Sequence, residues 1–393
     1  MGPGEAQRII ESLRMGIPPD GDICHFTVGR KNEIEILTER LKEREPGALL
    51  LKANYGAGKS HLLRFIREYA LAKGWAVSLT SVDAKSAVRF NRMDQIVGAV
   101  CRNITVPGSG KSGVRHFFDS AIKQISKGKH DAAAWAQITA STKWTQTRYF
   151  RGDAFYVALR AWVTGNDYTC DLIEDWLLNP ADNDNKRPTF LYRALIEDLR
   201  SQFRDPRPKE YFTSSSRLVF FKSDEVCWLF LCDLFHFARA IGFEGVVLGF
   251  DEFEDVIYNL QDIRYQKAAF WNLFEFFSGV KYPSQSYFAV TPGFVEKCKR
   301  LLWRKGEFDY DYSQFDRLPT FEMSPITRRE LNTLGRKIIQ AHQTAYEWDG
   351  GPGVEEAVHE VIRIESSYPI ENRVRQCIKS IVKLLDGRLE DNE

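Results

Sequence analysis

The apolar and polar positions along the chain predict a parallel α/β sheet near the N-terminus. The run ALLLKA at 48–53 is apolar almost throughout, as in a strand buried on both faces, and WAVSLTSVD at 75–83 has a similar character. Between them, HLLRFIREYALAKG at 61–74 has the periodicity of a helix that ends at Gly74. The order strand, loop, helix, strand indicates parallel strands joined by a crossover helix.

Two amphipathic helices are predicted before the first of these strands. AQRIIESLRM at 6–15 carries apolar side chains at helical spacing and stops at Gly16, which predicts a short docking arm. FTVGRKNEIEILTERLKERE at 26–45 predicts a turn at Gly29 followed by a helix with one apolar side.

The middle of the chain, from about residue 86 to 243, is predicted to be a large, mostly helical insertion. Two polar stretches interrupt it, NPADNDNKRP at 179–188 and RDPRPKEYFTSSSR at 204–217, both rich in residues that form turns. The strand pattern then returns at GVVLGFDE, 245–252, and at SYFAVTPG, 286–293.

Three more helical stretches follow Pro325 and predict a small helical lid. They span 326–346, 353–365 and 369–386. We therefore expect three parts: an N-terminal arm at 1–25, a core at 26–323 that contains the insertion, and the lid at 324–393.

Composition narrows the classes of function. The 393 residues are 44% hydrophobic, enough for a large core, and 54 Lys and Arg against 53 Asp and Glu give a net charge of +1. A nucleic acid would therefore have to be held by local patches. The seven cysteines are scattered without a C-x-x-C pair, which argues against a disulfide framework or a zinc site. With no secretory leader and no long apolar run, we expect a cytoplasmic protein that does not span a membrane.

A glycine-rich loop between the first predicted strand and its helix is the strongest chemical signal. Its residues are Ala53, Asn54, Tyr55, Gly56, Ala57, Gly58, Lys59 and Ser60. Glycines let backbone N–H groups curl round a phosphate, and the helix that follows presents its positive end. In such a loop Lys59 reaches the β- and γ-phosphate oxygens and Ser60 coordinates magnesium. Ala53 stands where the pattern has glycine, which is tolerable if its φ angle is negative.

A second segment also ends in G-K-S. It is TVPGSGKS at 105–112, and the stretch before it, DQIVGAVCRNI at 94–104, has helical spacing. Because a phosphate loop must follow a strand and open a helix, we favour the loop at 53–60 and expect 105–112 to link two helices at the surface.

A pair of acids follows the predicted strand at 245–252. Asp251 and Glu252 come at its carboxyl end, the edge where open α/β sheets bind ligands. Asp251 would complete the magnesium shell with Ser60, and Glu252 would polarise the attacking water. The alternative is a strand followed by a solvated acidic turn, since Glu254 and Asp255 continue the charge.

Three further polar residues are candidates for contact with the γ-phosphate. Thr291 ends the predicted strand at 286–291, where its hydroxyl would orient the water, unless it only begins a turn before Pro292. Arg317 and Arg375 would supply planar cations, the first from a neighbouring subunit and the second from the lid. Either could instead be a surface arginine, and Arg373 competes with Arg375.

Taken together, these residues resemble the AAA+ superfamily, whose Walker A, Walker B, sensor 1, arginine finger and sensor 2 motifs occur in this order. A narrower resemblance, to the ATP-binding proteins of BREX-type bacterial phage-defence systems, covers most of the chain outside about 100–170. The segments that carry it are RIIESLRMGIPPDGDICHFTVGRKNEI (8–34), NYGAGKSHLL (54–63), DWLLNP (175–180), ARAIGFEGVVLGFDEFE (238–254), FEMSPITRREL (321–331) and VRQCIKSIVKLLD (374–386).

The resemblance implies a parallel-sheet P-loop core, AAA+ or origin-recognition-like, over 26–323, with ATP and Mg²⁺ as cofactors and ATP hydrolysis as the activity. It also implies that the nucleotide site extends to Val28, Gly29, Arg30 and His61. A homo-oligomer or a complex with other defence proteins, acting on or near DNA in the cytoplasm, is the implied setting. Origin-recognition and transposition-regulator ATPases are similar in architecture but carry a C-terminal winged helix, and the sequence here continues only to the lid.

Local basic patches keep DNA contact open as a partner hypothesis. One comprises Arg200, Arg204, Arg207, Lys209 and Arg217, and another comprises Lys297, Lys299, Arg300, Arg304 and Lys305. A third stretch interleaves bases and aromatic rings: Lys143, Trp144, Arg148, Tyr149, Phe150 and Arg151. Each could equally be a solvated face or, for the rings, part of a helical core.

Three classes of function compete. The leading hypothesis is an ATP-hydrolysing switch or motor. Its rivals are a nucleotide-stabilised scaffold, or transposition- or replication-type regulator, with little turnover, and a small-molecule kinase built on the same loop. The separate lid and the acid pair after the strand at 245–252 argue against the kinase.

Overall fold

A computed structural model describes residues 1–19, 21–82, 88–128, 150–178, 224–256, 260–368 and 373–391. The protein is a mixed α/β structure with one six-stranded, mostly parallel sheet. The predicted polar breaks at 179–188 and 204–217, the basic patch at 200–217 and most of the aromatic stretch at 143–149 lie outside the described residues. No helix in the described part is long and apolar enough to cross a membrane.

The sheet contains the four strands that the apolar pattern predicts and two shorter ones. Its strands are β1 (Gly47–Lys52), β2 (Ala76–Ser81), β3 (Ile104–Thr105), β4 (Val246–Asp251), β5 (Gln285–Val290) and β6 (Thr320–Glu322). Their order is β3-β2-β4-β5-β1-β6, and only β3 is antiparallel to its neighbour. The prediction of buried parallel strands is therefore confirmed, because β1, β4 and β5 are almost fully buried.

The register aligns the carboxyl ends of the central strands. Lys52 of β1 pairs with Val290 of β5, and Phe250 of β4 pairs with Phe288 of β5. β5 therefore lies between the strand that leads into the glycine-rich loop and the strand that leads into the acid pair. Because parallel strands end at the same edge, the loop and the acids face each other across β5.

The helices that precede β4 in the chain follow the predicted periodicity. They are α1 (Pro3–Arg14), α2 (Ile23–Phe26), α3 (Lys31–Glu43), α4 (Lys59–Ala72), α5 (Met93–Asn103), α6 (Val114–Ser126), α7 (Asp153–Thr164), α8 (Asp167–Leu178) and α9 (Asp224–Ala240). Within the described parts of the middle region, helices α5 to α9 agree with the predicted helical pattern, and the rest of that region lies outside the described residues. The short strand β3 inside the middle region was not predicted, because two residues carry no readable period.

The remaining helices follow β4 and β5. They are α10 (Ile263–Ser278), α11 (Phe294–Arg304), α12 (Ser313–Asp316), α13 (Arg328–Tyr346), α14 (Val354–Glu365) and α15 (Arg373–Glu390). Thr327 and Glu330 form a reciprocal capping box that fixes the start of α13. The capping box therefore fixes the first turn of α13 soon after the last strand of the sheet.

Helix α1 packs on the C-terminal helices. Its buried side chains Ala6, Ile9, Ile10 and Leu13 belong to one hydrophobic cluster with α13, α14 and α15. Arg14 closes this contact with a bidentate bond to Asp386, at 2.7 and 3.0 Å. The predicted docking arm thus packs on the C-terminal helices and links the beginning of the chain to its last helix.

Candidate functional site

The loop between β1 and α4 has the backbone that a phosphate loop requires. Gly56 and Gly58 have φ angles of +69° and +96°, a region that glycine enters without strain. Ala53 is not among the residues with positive φ, and its N–H donates to Val290 in β5. The condition for alanine at this position is therefore met, and the N-terminus of α4 opens directly onto the loop.

Lys59 is held inside the loop that it ends. Its Nζ donates to the carbonyl oxygens of Ala53 at 2.9 Å and Asn54 at 3.3 Å, and the side chain is buried. Its closest acid is Glu254, with 3.9 Å between Nζ and Oε1. Ser60, the next residue, is half-buried and lines the same cleft.

Three carboxylates reach this cleft from the end of β4. Asp251 accepts a hydrogen bond from the N–H of Glu252, and Glu252 itself is exposed with a left-handed φ of 55°. The chain then turns through a short 3₁₀ segment, Phe253–Asp255, which buries Glu254 to 2% exposure. The alternative of a solvated acidic turn is wrong for Glu254.

Glu254 is the cleft residue that sequence reasoning missed. Its Oε2 is buried and has no hydrogen-bond partner among the described residues. The sequence offered one signal, a third acid two residues after the acid pair, but only the 3₁₀ turn at Phe253–Asp255 buries it. Recognising it required knowledge that such a turn follows β4.

The pKa shifts of Lys59 and Glu254 show that both charges lack full compensation. Burial lowers the pKa of Lys59, and the nearby charge of Glu254 only partly opposes this. Burial likewise raises the pKa of Glu254, against the opposing effect of Lys59. A buried pair in which both members are pushed towards neutrality is not a self-sufficient salt bridge.

The cleft brings some of the predicted γ-phosphate residues together and leaves others apart. Arg375 lines it and is close enough to Lys59 to contribute to the lowering of the lysine pKa, whereas Arg373 donates to the Tyr368 carbonyl. Thr291, directly after β5, is buried and does not line the cleft, and its hydroxyl has no partner among the described residues. Arg317 is exposed at the end of α12 and does not line the cleft.

Residues 27–30 form a second wall of the cleft. Val28 and Arg30 line it, while Gly29 has a φ of +64° and lies so close to Glu330 that a Cβ atom would meet the carboxylate. The buried Arg30 donates to Ala57 in the loop at 2.6 Å and to Glu33 at 3.0 Å. Arg30 also donates to the Ser324 carbonyl. This arginine ties the glycine-rich loop to the segment that connects β6 with α13.

His61 contacts the same wall from α4. Its Nε2 lies 2.8 Å from the Thr27 hydroxyl, and burial lowers the pKa of the imidazole to about 4. On the same face of α4, Arg64 donates to the Pro18 carbonyl at 2.5 Å and Glu68 accepts from the N–H groups of Gly21 and Ile23. Helix α4 therefore holds the segment between α1 and α3 through side-chain hydrogen bonds.

The far side of the cleft is apolar. It is formed by the segment after α1 and by the C-terminal helices, through Ile17, Pro18, Pro19, Ile326, Val374 and Ile378. The cleft is open to solvent and has a volume of about 1030 Å³ up to its mouth. One polar and one apolar half is what a ligand with an anionic tail and a flat, weakly polar head requires.

The rival G-K-S segment lies elsewhere. Thr105 is in the antiparallel edge strand β3, Lys111 is exposed, and neither lines the cleft. The segment links α5 to α6 at the surface, as the sequence predicts, with β3 between them. The segment follows an edge strand of only two residues. Among the described residues, none of the acids that line the cleft faces it.

These features describe a cleft at the carboxyl edge of a parallel sheet, with a glycine-rich loop and a buried lysine on one side and three carboxylates on the other. The sequence model of the BREX system ATP-binding protein BrxC/D family matches residues 2–393. The chain belongs to this family of ATP-binding proteins, and that membership indicates a role in BREX phage defence. Neither the curated proteins nor the solved structures contain a significant match.

Proposed function

We propose that the protein is an AAA+ P-loop ATPase that binds ATP with Mg²⁺ and hydrolyses it as a switch or motor of a BREX defence complex. The observation that carries this proposal is the opposition of Lys59 to Asp251, Glu252 and Glu254 across β5. Family membership supports ATP binding, and the under-compensated charges support a ligand that is both anionic and metal-bearing.

The polar half of the cleft would hold the triphosphate. N–H groups of the loop and the start of α4 would surround the β-phosphate, and Lys59 would leave its backbone carbonyls for phosphate oxygens. Ser60 and Asp251 offer oxygen ligands of the kind that Mg²⁺ prefers, and the bound ion would offset phosphate charge. Both residues line one cleft, so the donor set fits the ion.

Hydrolysis would then depend on side chains beside the terminal phosphate. Glu252, exposed at the mouth of the cleft, would accept a proton from the attacking water. Thr291 has an unused buried hydroxyl between the loop and the acids, suited to orienting that water. Arg375 would contact the phosphates from helix α15, and Arg317, which is remote from its own cleft, would act on that of a neighbour.

The apolar half would hold the adenine base. In this arrangement the segment 1–25 and the helices of 324–393 act as arm and lid, and both contribute side chains around the base. The proposed core is 26–323, with the helices of about 86–243 as its insertion. Movement of the lid would therefore be transmitted to the phosphates through Arg375 and Arg30.

The setting that we propose is a cytoplasmic complex with other BREX proteins, with DNA as a candidate partner. The family description supports the defence role. The basic patch on α11 is a candidate nucleic-acid contact, although Lys299 is paired with Asp316 and Lys305 donates to a backbone carbonyl. Steady-state ATPase rates with and without duplex and single-stranded DNA test this part.

Glu252→Gln tests the catalytic proposal. The variant should retain ATP binding and lose turnover, because the amide keeps the size of the side chain but cannot accept a proton. Asp255→Asn, on the same turn, does not alter a cleft-lining residue and serves as the matched control. No turnover in wild type would favour a nucleotide-stabilised scaffold, whereas equal turnover in wild type and Glu252→Gln would remove Glu252 from the catalytic role.

A further inference from the structure

Arg375 reaches the cleft without a polar partner to direct it. The residue lines the cleft from α15 and is exposed, and no hydrogen bond or ion pair holds its guanidinium among the described residues. A long, flexible side chain of this kind has many rotamers of similar energy. Its direction in the cleft therefore depends on the groups that pack against its stem.

Gly16, just after α1, packs against that stem. A Cβ atom built on Gly16 would lie 2.8 Å from Cγ and 3.3 Å from Cδ of Arg375, and 3.1 Å from Cδ of Lys379. Real Cβ contacts are almost never shorter than 3.0 Å, so any side chain at this position would have to move its neighbour. The stem of Arg375 therefore lies directly on the backbone of Gly16.

The backbone conformation also favours glycine here. Helix α1 ends in a Schellman motif, in which the N–H of Gly16 donates to the Leu13 carbonyl and the N–H of Ile17 donates to the Ser12 carbonyl, both at 2.9 Å. Gly16 has a φ angle of +70°, in the left-handed region. The motif turns the chain out of α1 and brings Ile17 to the cleft that Arg375 lines.

Two anchors hold Gly16 in place. On the side of the lid, Asp386 of α15 accepts hydrogen bonds from Nε and Nη2 of Arg14, at 3.0 and 2.7 Å. On the side of the core, Arg64 of α4 donates to the Pro18 carbonyl. Only three residues separate the two anchored positions, so the backbone at Gly16 cannot move far unless one of these bonds breaks.

The anchor on the lid is part of a buried polar network. His342 is fully buried, and its Nδ1 accepts a hydrogen bond from the indole N–H of Trp348 at 2.9 Å. Its Nε2 therefore carries the proton and donates to Asp386 at 3.0 Å. Together with the two bonds from Arg14, the Asp386 carboxylate receives three donors. Directional bonds as well as apolar contacts thus fix the end of α1 on the lid.

We propose that the end of the N-terminal arm is a positioning element of the nucleotide site, in which Gly16, anchored through Arg14 and Pro18, directs Arg375 towards the terminal phosphate. This inference rests on the proposed function, which gives Arg375 a phosphate to contact. Arg14 and Gly16 are positioning residues, because they act through the Arg375 side chain. A larger residue at position 16 would turn the arginine stem aside, since the stem can rotate whereas the backbone is anchored on both sides.

Gly16→Ala tests the packing, by equilibrium binding of ADP and of a non-hydrolysable ATP analogue. Affinity for the analogue should fall about tenfold, near the lower limit for loss of a charged hydrogen bond. ADP affinity should be nearly unchanged, because ADP lacks the terminal phosphate. Gly353→Ala is the matched control: Gly353 also has a φ of +70°, and its added Cβ would meet only Oε2 of Glu356, at 3.9 Å. It introduces the same backbone strain and should leave both affinities unchanged.

A double-mutant cycle with Arg375→Ala separates positioning from a general effect on the fold. Arg375→Ala removes the Cγ atom that an alanine at position 16 would displace, so Gly16→Ala should have no further effect on analogue affinity in that background.

A second variant, Arg14→Ala, releases the anchor on the lid without altering a residue that lines the cleft. It should also weaken binding of the analogue more than binding of ADP, and only while Arg375 is present. Arg363→Ala breaks an exposed ion pair with Glu360 on α14 and is the matched control for Arg14→Ala.

Three results would overturn the proposal. They are wild-type affinity for the analogue in both Gly16→Ala and Arg14→Ala, an equal loss of ADP and analogue affinity in these variants, and a full additional loss when either is combined with Arg375→Ala. Wild type that binds no nucleotide would contradict the proposed function itself. Nucleotide binding that is weakened by Arg375→Ala but not by the two arm variants would contradict only this inference.

Discussion

Substitution of Arg30 should show how much one buried cation contributes to the free energy of unfolding. Arg30 and Glu33 are each 4% exposed, with 3.0 Å between Nη1 and Oε1. Arg30→Ala would leave the Glu33 carboxylate buried without a cation, although it would still accept from the N–H of Ser324 at 3.1 Å. Removal of one partner of a buried pair costs about 3–5 kcal/mol, so we expect a loss of that size in the free energy of unfolding.

The assay is urea unfolding followed by circular dichroism, with a double-mutant cycle. Adding Glu33→Gln to Arg30→Ala removes the unpaired charge and should restore about 1–3 kcal/mol. Arg44→Ala breaks the exposed pair with Glu244 and should change the free energy by less than about 1 kcal/mol. The reasoning fails if Arg30→Ala costs no more than Arg44→Ala, or if Glu33→Gln makes the Arg30→Ala chain still less stable.

Two further predictions concern the charges of the cleft. Glu254→Gln should tighten ATP binding by about tenfold or more and slow turnover, because phosphate must take Lys59 from this carboxylate. Unit charges 4 Å apart attract by about 4 kcal/mol at an effective dielectric of 20, which sets an upper limit of about 10³-fold. Equilibrium binding and steady-state rates measure both, and an affinity equal to that of Asp255→Asn would contradict it. His61 should make the fold less stable as pH falls: the unfolded chain binds a proton below pH 6.5 and the folded chain only below about 4, a difference of about 3 kcal/mol across that window. Urea titrations at several pH values should show this slope in wild type, and an equal slope in His61→Phe would refute the assignment.

The parts of the fold that local sequence determines were predictable. β1, the loop and α4 follow one another within a single strand-loop-helix unit, so apolar pattern and glycines suffice to predict them. The same holds for β4 and its acids. The rejection of the segment at 105–112 also depended only on the character of the residues before it.

The parts that depend on distant contacts were not predictable. The bond between Arg14 and Asp386 joins residues 372 apart in sequence, and no local pattern reports it. The choice of Arg375 over Arg373 depends on how α15 is rotated about its axis relative to the cleft. The burial of Glu254 depends on a turn of three residues, too short for periodicity to reveal.

Equilibrium binding of a fluorescent ATP derivative to Lys59→Ala and Lys111→Ala tests the central claim most directly. The two substitutions remove the lysines of the two competing G-K-S segments. Lys59→Ala should weaken binding about 30-fold or more, the range expected when charged hydrogen bonds to phosphate are lost, and Lys111→Ala should leave it unchanged. Equal affinities in the two variants, or a loss confined to Lys111→Ala, would contradict a nucleotide site between the loop after β1 and the acids after β4.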